Sequence, residues 1–335
     1  LMSTLKGPPF RAKQIMQWIY HRGRFDFHQM GNLPKTLRDK LDETASIALP
    51  RITARRISRD GTQKYLLELE DGATIETVLI PEGNRRTLCV SSQVGCAMDC
   101  RFCATGAQGF QRNLTVGEMV GQVLVVQKDS QDKITNIVLM GMGEPLANYE
   151  QVMGAVRLWN DPLGLGIAAR RLTISTCGLV PGIERLSREG LQVVLAVSLH
   201  APNDDLRNQI MPINRRYNLS QLMDVCRQYV EATNRRITFE YALMQGFNDS
   251  LEHARQLAQL IKGILCHVNI IPLNPVNGHG WASPTKKQVL LFQQELARYN
   301  IEATVRAERG ADIEAACGQL KSRLLGKEVG HEHSS

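Results

Sequence analysis

Long apolar runs are missing from this sequence. Nowhere in its 335 residues is there a stretch near the ~18 apolar residues that a membrane helix needs, and the N-terminus has no continuous apolar segment of the export type. A soluble, cytoplasmic chain with no membrane partner is expected. Cysteine is sparse as well. Eight cysteines are too few to staple a disulfide scaffold of this size, so each reads as a packing, metal-binding or catalytic thiol. Internal repeats and low-complexity tracts are absent. Net charge is missing from most of the chain: residues 61–335 hold 28 basic and 28 acidic side chains, whereas residues 1–60 hold twelve Lys/Arg against five Asp/Glu. The whole surplus of +7 therefore sits in the first sixth of the chain. Such a segment is either a solvated basic face or the electrostatic footprint of a phosphate-backbone binder.

At ~150 residues per domain the length suggests one large domain and a smaller appendage. In the appendage, Phe10, Ile15, Trp18 and Ile19 mark a helix that stops at Gly23, and Asn32 with Pro34 reads as the start of a second through Leu37 and Leu41. Lys64–Glu70 and Ala73–Ile80, split by Asp71-Gly72, read as a β-hairpin. After about residue 85 the pattern alternates. Apolar runs at 88–90, 134–140, 172–175, 193–198, 237–243 and 268–271 each precede a helix-like segment. Thr115 with Glu118 fits a capping box, and Asn218 and Asn248 or Asp249 read as caps for later helices. The expectation is an α/β fold with a parallel sheet curled as a partial (β/α)6 TIM-like barrel. Ligands in such folds sit at the C-terminal ends of the strands. The boundaries read as a helical accessory unit at 1–49, a β-ribbon linker at 50–81, a core barrel at 82–312, and a C-terminal segment with a frayed tail at 313–335.

The strongest local signal is Cys96-x3-Cys100-x2-Cys103, just beyond the first barrel strand. Three thiolates within eight residues converge only if the loop wraps around one centre, which Gly95 and Gly106 would assist. Structural zinc would need a fourth ligand, from Cys89 or a histidine. A 4Fe-4S cluster with three cysteines keeps one iron open for substrate. Both remain open on spacing alone.

The triplet, with Phe102 before its last cysteine, resembles the signature of radical S-adenosylmethionine enzymes. Cys89-Val-Ser-Ser-Gln-Val-Gly-Cys96, Gly141-Met-Gly-Glu-Pro145, Ser198-Leu-His-Ala-Pro-Asn203 and Ala315-Ala-Cys-Gly-Gln-Leu320 together resemble the dual-specificity RNA adenine-C2 methyltransferases over nearly the whole chain. The resemblance implies one 4Fe-4S cluster on Cys96, Cys100 and Cys103, with two S-adenosylmethionine molecules used per turnover. Carbon 2 of adenine is electron-poor and has no lone pair, so it cannot attack a methylsulfonium directly and needs a radical route. By the resemblance, Cys317 is methylated and carries the methyl group to the adenine in a transient protein–RNA adduct. Glu76 is the proton acceptor, and Cys89 the resolving thiol that releases the RNA by forming a disulfide with Cys317. Without the resemblance, Cys317 reads as a packed helical cysteine and Glu76 as one more ribbon carboxylate.

Gly143, Glu144, Ser175, Ser198, Leu199, His200 and Asn274 match cofactor-contacting positions of the family. Cys177, Cys226 and Cys266 match none and read as structural. The implied substrates are 23S rRNA and tRNA, with an electron donor such as flavodoxin and a monomeric enzyme. Arg11, Lys13, Arg22, Arg24, Arg51, Arg55, Arg56 and Arg59 are candidate phosphate contacts, and Trp18 reads as core. Two alternatives stand beside this reading: methylation at adenine carbon 8, as in a sister family linked to antibiotic resistance, and a non-catalytic zinc RNA-binding module. Ala104-Thr-Gly-Ala-Gln-Gly-Phe110 is closer to the carbon-2 group.

Overall fold

A computed structural model describes residues 7–274, 280–307, 309–313 and 315. The chain opens with α1 (Phe10–Met16), a π-helical turn (Gln17–His21) and α2 (Lys35–Thr44), packed around Ile15, Phe27, Met30, Leu33 and Leu41. Gly23, at φ +59°, ends the first helical stretch as expected. Asn32 does not cap α2. Pro34 holds the N-cap position without a side-chain bond, because the Asn32 side-chain oxygen instead accepts the Trp18 indole N–H at 2.5 Å. Trp18 is half-buried, with the Arg22 guanidinium 4.1 Å from its ring centroid.

Strands β1 (Arg51–Ile57), β2 (Gln63–Glu68) and β3 (Thr74–Glu82) form an antiparallel ribbon whose β2–β3 turn carries Gly72 at φ +79°. The ribbon is continuous with the main sheet. β3 pairs antiparallel with β4 (Arg85–Cys89), Val78 opposite Cys89, so the ribbon extends the sheet edge. A second small ribbon, β5 (Gln93–Gly95) with β6 (Phe110–Asn113), brackets the cysteine loop and α3 (Ala104–Ala107). Then come α4 (Val116–Ser130), β7 (Asn136–Leu139), α5 (Tyr149–Asn160), β8 (Leu172–Thr176), α6 (Val180–Ser187) and β9 (Val194–Ser198). Next are α7 (Asp204–Ile210), α8 (Leu219–Thr233), β10 (Ile237–Leu243), α9 (Leu251–Leu260), β11 (Cys266–Pro272), α10 (Lys286–Arg298) and β12 (Ala303–Val305).

The sheet order β1-β2-β3-β4-β7-β8-β9-β10-β11-β12 is antiparallel up to β4 and parallel from β4 onward. The six expected parallel strands are all present. β12, three residues long, adds a seventh that its length hid from sequence patterning. Helices cover the outer face in neighbouring pairs, α4 with α5, α6 with α8 and α9 with α10, and the apolar core fills the layer between them and the sheet. Thr115 and Asn218 cap α4 and α8 with complete capping boxes. The cap of α9 is Ser250, since Asn248 is turned inward and fully buried.

Candidate active site

The cysteine loop is fixed by backbone before any ligand is considered. Cys96 N–H donates to Gly109 C=O at 2.9 Å, and Arg101 N–H donates to Ile210 C=O at 2.9 Å, tying the loop to the end of α7. Gly95 permits this closure: its φ is +74°, and a Cβ there would stand 1.9 Å from the Gly109 carbonyl oxygen. Cys96, Cys100 and Cys103 line one pocket at the C-terminal ends of the parallel strands. Burial pushes the Cys96 thiol up to about 12 and the Cys100 thiol well above its ordinary value, and the neighbouring cysteines raise both further. Thiols that raise one another in this way favour a cationic centre that would hold them as thiolates. Among the described residues no three His, Cys, Asp or Glu side chains could hold a single metal ion. A donor set of three cysteines on one loop, lining one pocket, fits a 4Fe-4S cluster with one iron left open.

The same pocket is lined by Gly143, Glu144, Ser175, Ser198, His200 and Asn274, which come from the ends of β7, β8, β9 and β11. Leu199 does not join them, because its side chain is buried in the main core. Gly143 has φ +100°, and a Cβ there would stand 2.5 Å from Gln93 Cβ. Gln93 Oε1 accepts the Glu144 N–H at 2.9 Å, so β5 fixes the turn that presents the carboxylate. Glu144 is buried and accepts N–H bonds from Leu146 at 3.0 Å and Cys177 at 2.7 Å. Burial pushes its pKa up, against the pull of these bonds. His200 sits at φ +58°, and its Nδ1 accepts the Ala242 N–H at 2.9 Å. An amide N–H can only donate, so the imidazole carries its proton on Nε2. Burial, with Arg207 nearby, lowers its pKa to about 3, which keeps the ring neutral.

A second pocket adjoins the first, and the two share Met140, Gly141, Ile271, Asn274 and Arg306 in their walls. It is lined by Glu76 from β3, Cys89 from β4 and Ala315. Glu76 is not an exposed ribbon carboxylate: it is fully buried, with Lys64 Nζ 3.9 Å from its Oε1. Cys89 lines this second pocket and not the one that holds the three cysteines. Cys317 lies outside the described residues; Ala315, two residues before it, reaches the pocket wall. That stretch is tethered to the ribbon, since Asp60 accepts the Gly310 N–H at 3.0 Å and Asp312 accepts Ser58 Oγ–H at 2.5 Å.

Two family descriptions cover most of this framework. Residues 90–258 match the radical SAM superfamily, and residues 1–47 match the N-terminal domain of ribosomal RNA large subunit methyltransferases. The dual-specificity RNA methyltransferase RlmN of Alcanivorax borkumensis is 49% identical over 331 residues, covering 96% of this chain and 87% of that protein. A probable dual-specificity RNA methyltransferase RlmN from a Thermoanaerobacter species is 51% identical over 317 residues, covering 94% of this chain and 92% of its own. The solved structure of a radical SAM methyltransferase from Sphaerobacter thermophilus superposes with a TM-score of 0.91 at 49% identity, covering 95% of this chain and 94% of that one.

The chain belongs to the RlmN family.

Membership in the radical SAM superfamily implies a 4Fe-4S cluster and S-adenosylmethionine, and it displaces the zinc-module alternative. Among the described residues no helix is long and apolar enough to cross a membrane.

Several residues that line or brace these pockets escaped the sequence reading. Cys177 is not simply core: it lines the cysteine pocket, and its N–H donates to Glu144 at 2.7 Å. Glu240, buried on β10 and held by Asn269 Nδ2 at 2.8 Å, lines the same wall. Arg207 of α7 is wholly buried and donates to the carbonyls of Cys177 (2.7 Å), Ser198 (3.1 Å) and Leu199 (3.1 Å) and to Asn214 Oδ1 (2.8 Å). Its spacing from Ile210 and Met211 puts an arginine on an apolar helix face, which was the available signal. On the basic ribbon, Arg51 pairs with Glu68 and Arg55 with Asp129, so these two are partly neutralised within the chain. Among the described residues neither Arg56 nor Arg59 has such a salt bridge.

Proposed function

We propose that this RlmN-family chain methylates carbon 2 of an adenine in 23S rRNA and in tRNA, through a methyl group carried on Cys317. The observation that supports this most directly is the pair of adjoining pockets. One holds the three cysteines and Glu144, the other holds Glu76 and Cys89, and Asn274 and Arg306 line both. When bound, the cluster and S-adenosylmethionine, two molecules per turnover, supply the one-electron chemistry that makes an unactivated carbon reactive.

The residues of the chain do the remaining work. Cys96, Cys100 and Cys103 hold the cluster. Glu144, a buried carboxylate at the end of β7, binds the ammonium of S-adenosylmethionine beside the backbone of Gly143, where the absence of a side chain allows close approach. Ser175, Ser198, His200 and Asn274 contact the rest of the cofactor around the barrel mouth, with Leu199 offering only its backbone. The fixed Nε2–H makes His200 a donor there. In the second pocket Glu76 takes the proton from the RNA adduct. The Cys89 thiolate then attacks the Cys317 sulfur: an S–S bond forms, the S–C bond to the RNA breaks, and its electron pair stays on the carbon, which takes up a proton. The disulfide is reduced before the next cycle. A substrate adenine has to leave its stack to reach this depth, which favours loop and junction RNA. Residues 1–49 contact that RNA, residues 50–81 form the wall bearing Glu76, residues 82–312 form the barrel, and residues 313–335 deliver Cys317. The enzyme works as a cytoplasmic monomer fed electrons by a flavodoxin-like donor.

The test is anaerobic reconstitution with iron and sulfide, followed by reductant, S-adenosylmethionine and RNA. The expected products are 5'-deoxyadenosine, a Cys317 peptide heavier by one methyl group, and 2-methyladenosine in the digested RNA. Methyl transfer by Cys317→Ala overturns the carrier role, and 8-methyladenosine overturns the regiochemistry.

A further inference from the structure

We infer that Lys64 is a positioning residue for Glu76, holding its buried carboxyl group ionised so that it arrives at the RNA adduct as a base. This rests on the role given to Glu76 under Proposed function. The hairpin register places the two side chains together: Leu66 lies opposite Glu76 across β2 and β3, and Lys64, two residues before Leu66, shares that face on the diagonal. The resulting pair is 3.9 Å apart, with the Lys64 side chain 4% exposed and that of Glu76 0%.

A carboxylate taken out of water on its own picks up a proton, and a protonated carboxyl cannot accept one from substrate. An opposite charge within a few ångströms reverses that preference. Glu76 lines the pocket whereas Lys64 is not part of its lining, so the ammonium acts from behind, away from the space the base would occupy. At 3.9 Å the contact is an ion pair rather than a short hydrogen bond, so it stabilises the charge with less loss of proton affinity. Lysine suits this position because it is a compact point charge, whereas a guanidinium would clamp both carboxylate oxygens.

The other titratable or charged groups lining the pocket, among the described residues, are Cys89 from β4 and Arg306 and Arg309 after β12. Arg309 is drawn toward Glu82 at 3.5 Å. Neither arginine lies in the ribbon, and both precede Ala315, on the side of the pocket that the C-terminal stretch supplies. Lys64 belongs to the same hairpin as Glu76, so its charge is in place however that stretch is arranged.

The experiment uses reconstituted protein and four variants, Lys64→Met, Lys64→Arg, Glu76→Gln and the double variant Lys64→Met/Glu76→Gln, with Lys64→Gln in reserve should Lys64→Met fail to fold. Infrared spectra at neutral pH, without RNA, read the carboxyl state directly. Lys64→Met gains one protonated-carboxyl band that the double variant lacks and that Lys64→Arg does not show. In single turnovers with RNA, Lys64→Met resolves the protein–RNA adduct about tenfold more slowly at pH 7 and recovers as pH rises, whereas Lys64→Arg stays within about threefold of the parent. The sign follows from the charge: without the ammonium the carboxyl pKa rises, so the base form appears only at higher pH. Absence of the new band, or its survival in the double variant, overturns the inference. A new band with unchanged adduct decay in both Lys64→Met and Glu76→Gln instead overturns Glu76 as the proton acceptor, and with it the functional half of the inference.

Discussion

Replacing Arg207 by methionine tests whether the mouth of the barrel is held by one buried guanidinium. Methionine keeps an unbranched stem of similar reach but donates nothing, so packing changes little while four hydrogen bonds disappear. Leu199 C=O keeps the neighbouring Ala201 N–H at 2.8 Å, but Cys177 C=O and Asn214 Oδ1 are deprived of the guanidinium donors that face them. A buried acceptor stripped of its donor costs about 1–3 kcal/mol, so two cost about 2–6 kcal/mol. Removing a charge that burial disfavours returns part of this, and a net destabilisation of about 3 kcal/mol is expected. Urea unfolding of the parent and variant reads that change as a lowered midpoint, and amide exchange should quicken at residues 177–178 and 198–201. A destabilisation below about 1 kcal/mol with unchanged exchange would refute the view that Arg207 braces the ends of β8 and β9.

Three shorter tests address neighbouring features. Gly143→Ala forces a Cβ against Gln93 at an unfavourable φ, and should weaken S-adenosylmethionine binding at least about tenfold in equilibrium dialysis while changing the melting temperature far less. Arg56→Gln/Arg59→Gln should flatten the salt dependence of RNA binding by about 0.7 in log–log slope for each phosphate that is no longer neutralised, whereas Arg51→Gln/Arg55→Gln, whose parents are ion-paired to Glu68 and Asp129, should change it less. Equal slopes for the two pairs would return the ribbon to the status of a solvated face. Asp312→Ala removes the acceptor for Ser58 Oγ–H and Arg59 N–H and should make the chain after residue 305 more readily cleaved by protease, while the cluster keeps its colour.

Most of the parallel strands were legible as short apolar runs recurring between helix-like segments, although β8 and β11 alternate in burial along their length. The β2–β3 hairpin was legible from Asp71-Gly72 alone. Caps were read less well where a polar side chain had a stronger tertiary partner: Asn32 is drawn to the Trp18 indole, and Asn248 turns inward to bond the carbonyls of His200 and Ala242 at 2.8 and 2.7 Å. The cysteine loop and the glycines that shape it announce themselves by local spacing. Lys64, Cys177, Arg207 and Glu240 do not, since their importance comes from what faces them across the fold. Of these, Lys64 was within reach, because counting register back from the hairpin turn brings it diagonal to Glu76.

The tether between residues 58–60 and residues 310–312 has a kinetic side. Ser58 and Asp312 are separated by 254 positions, so their pairing closes a loop that spans most of the chain. The helical unit, the ribbon and the sheet through β11 all precede that closure in the sequence. During synthesis Cys89 and the strands that pair with its own therefore emerge before the stretch leading to Cys317. The second pocket's last wall is thus the last of its parts to be synthesised, and its closure depends on the longest-range contact of the tether.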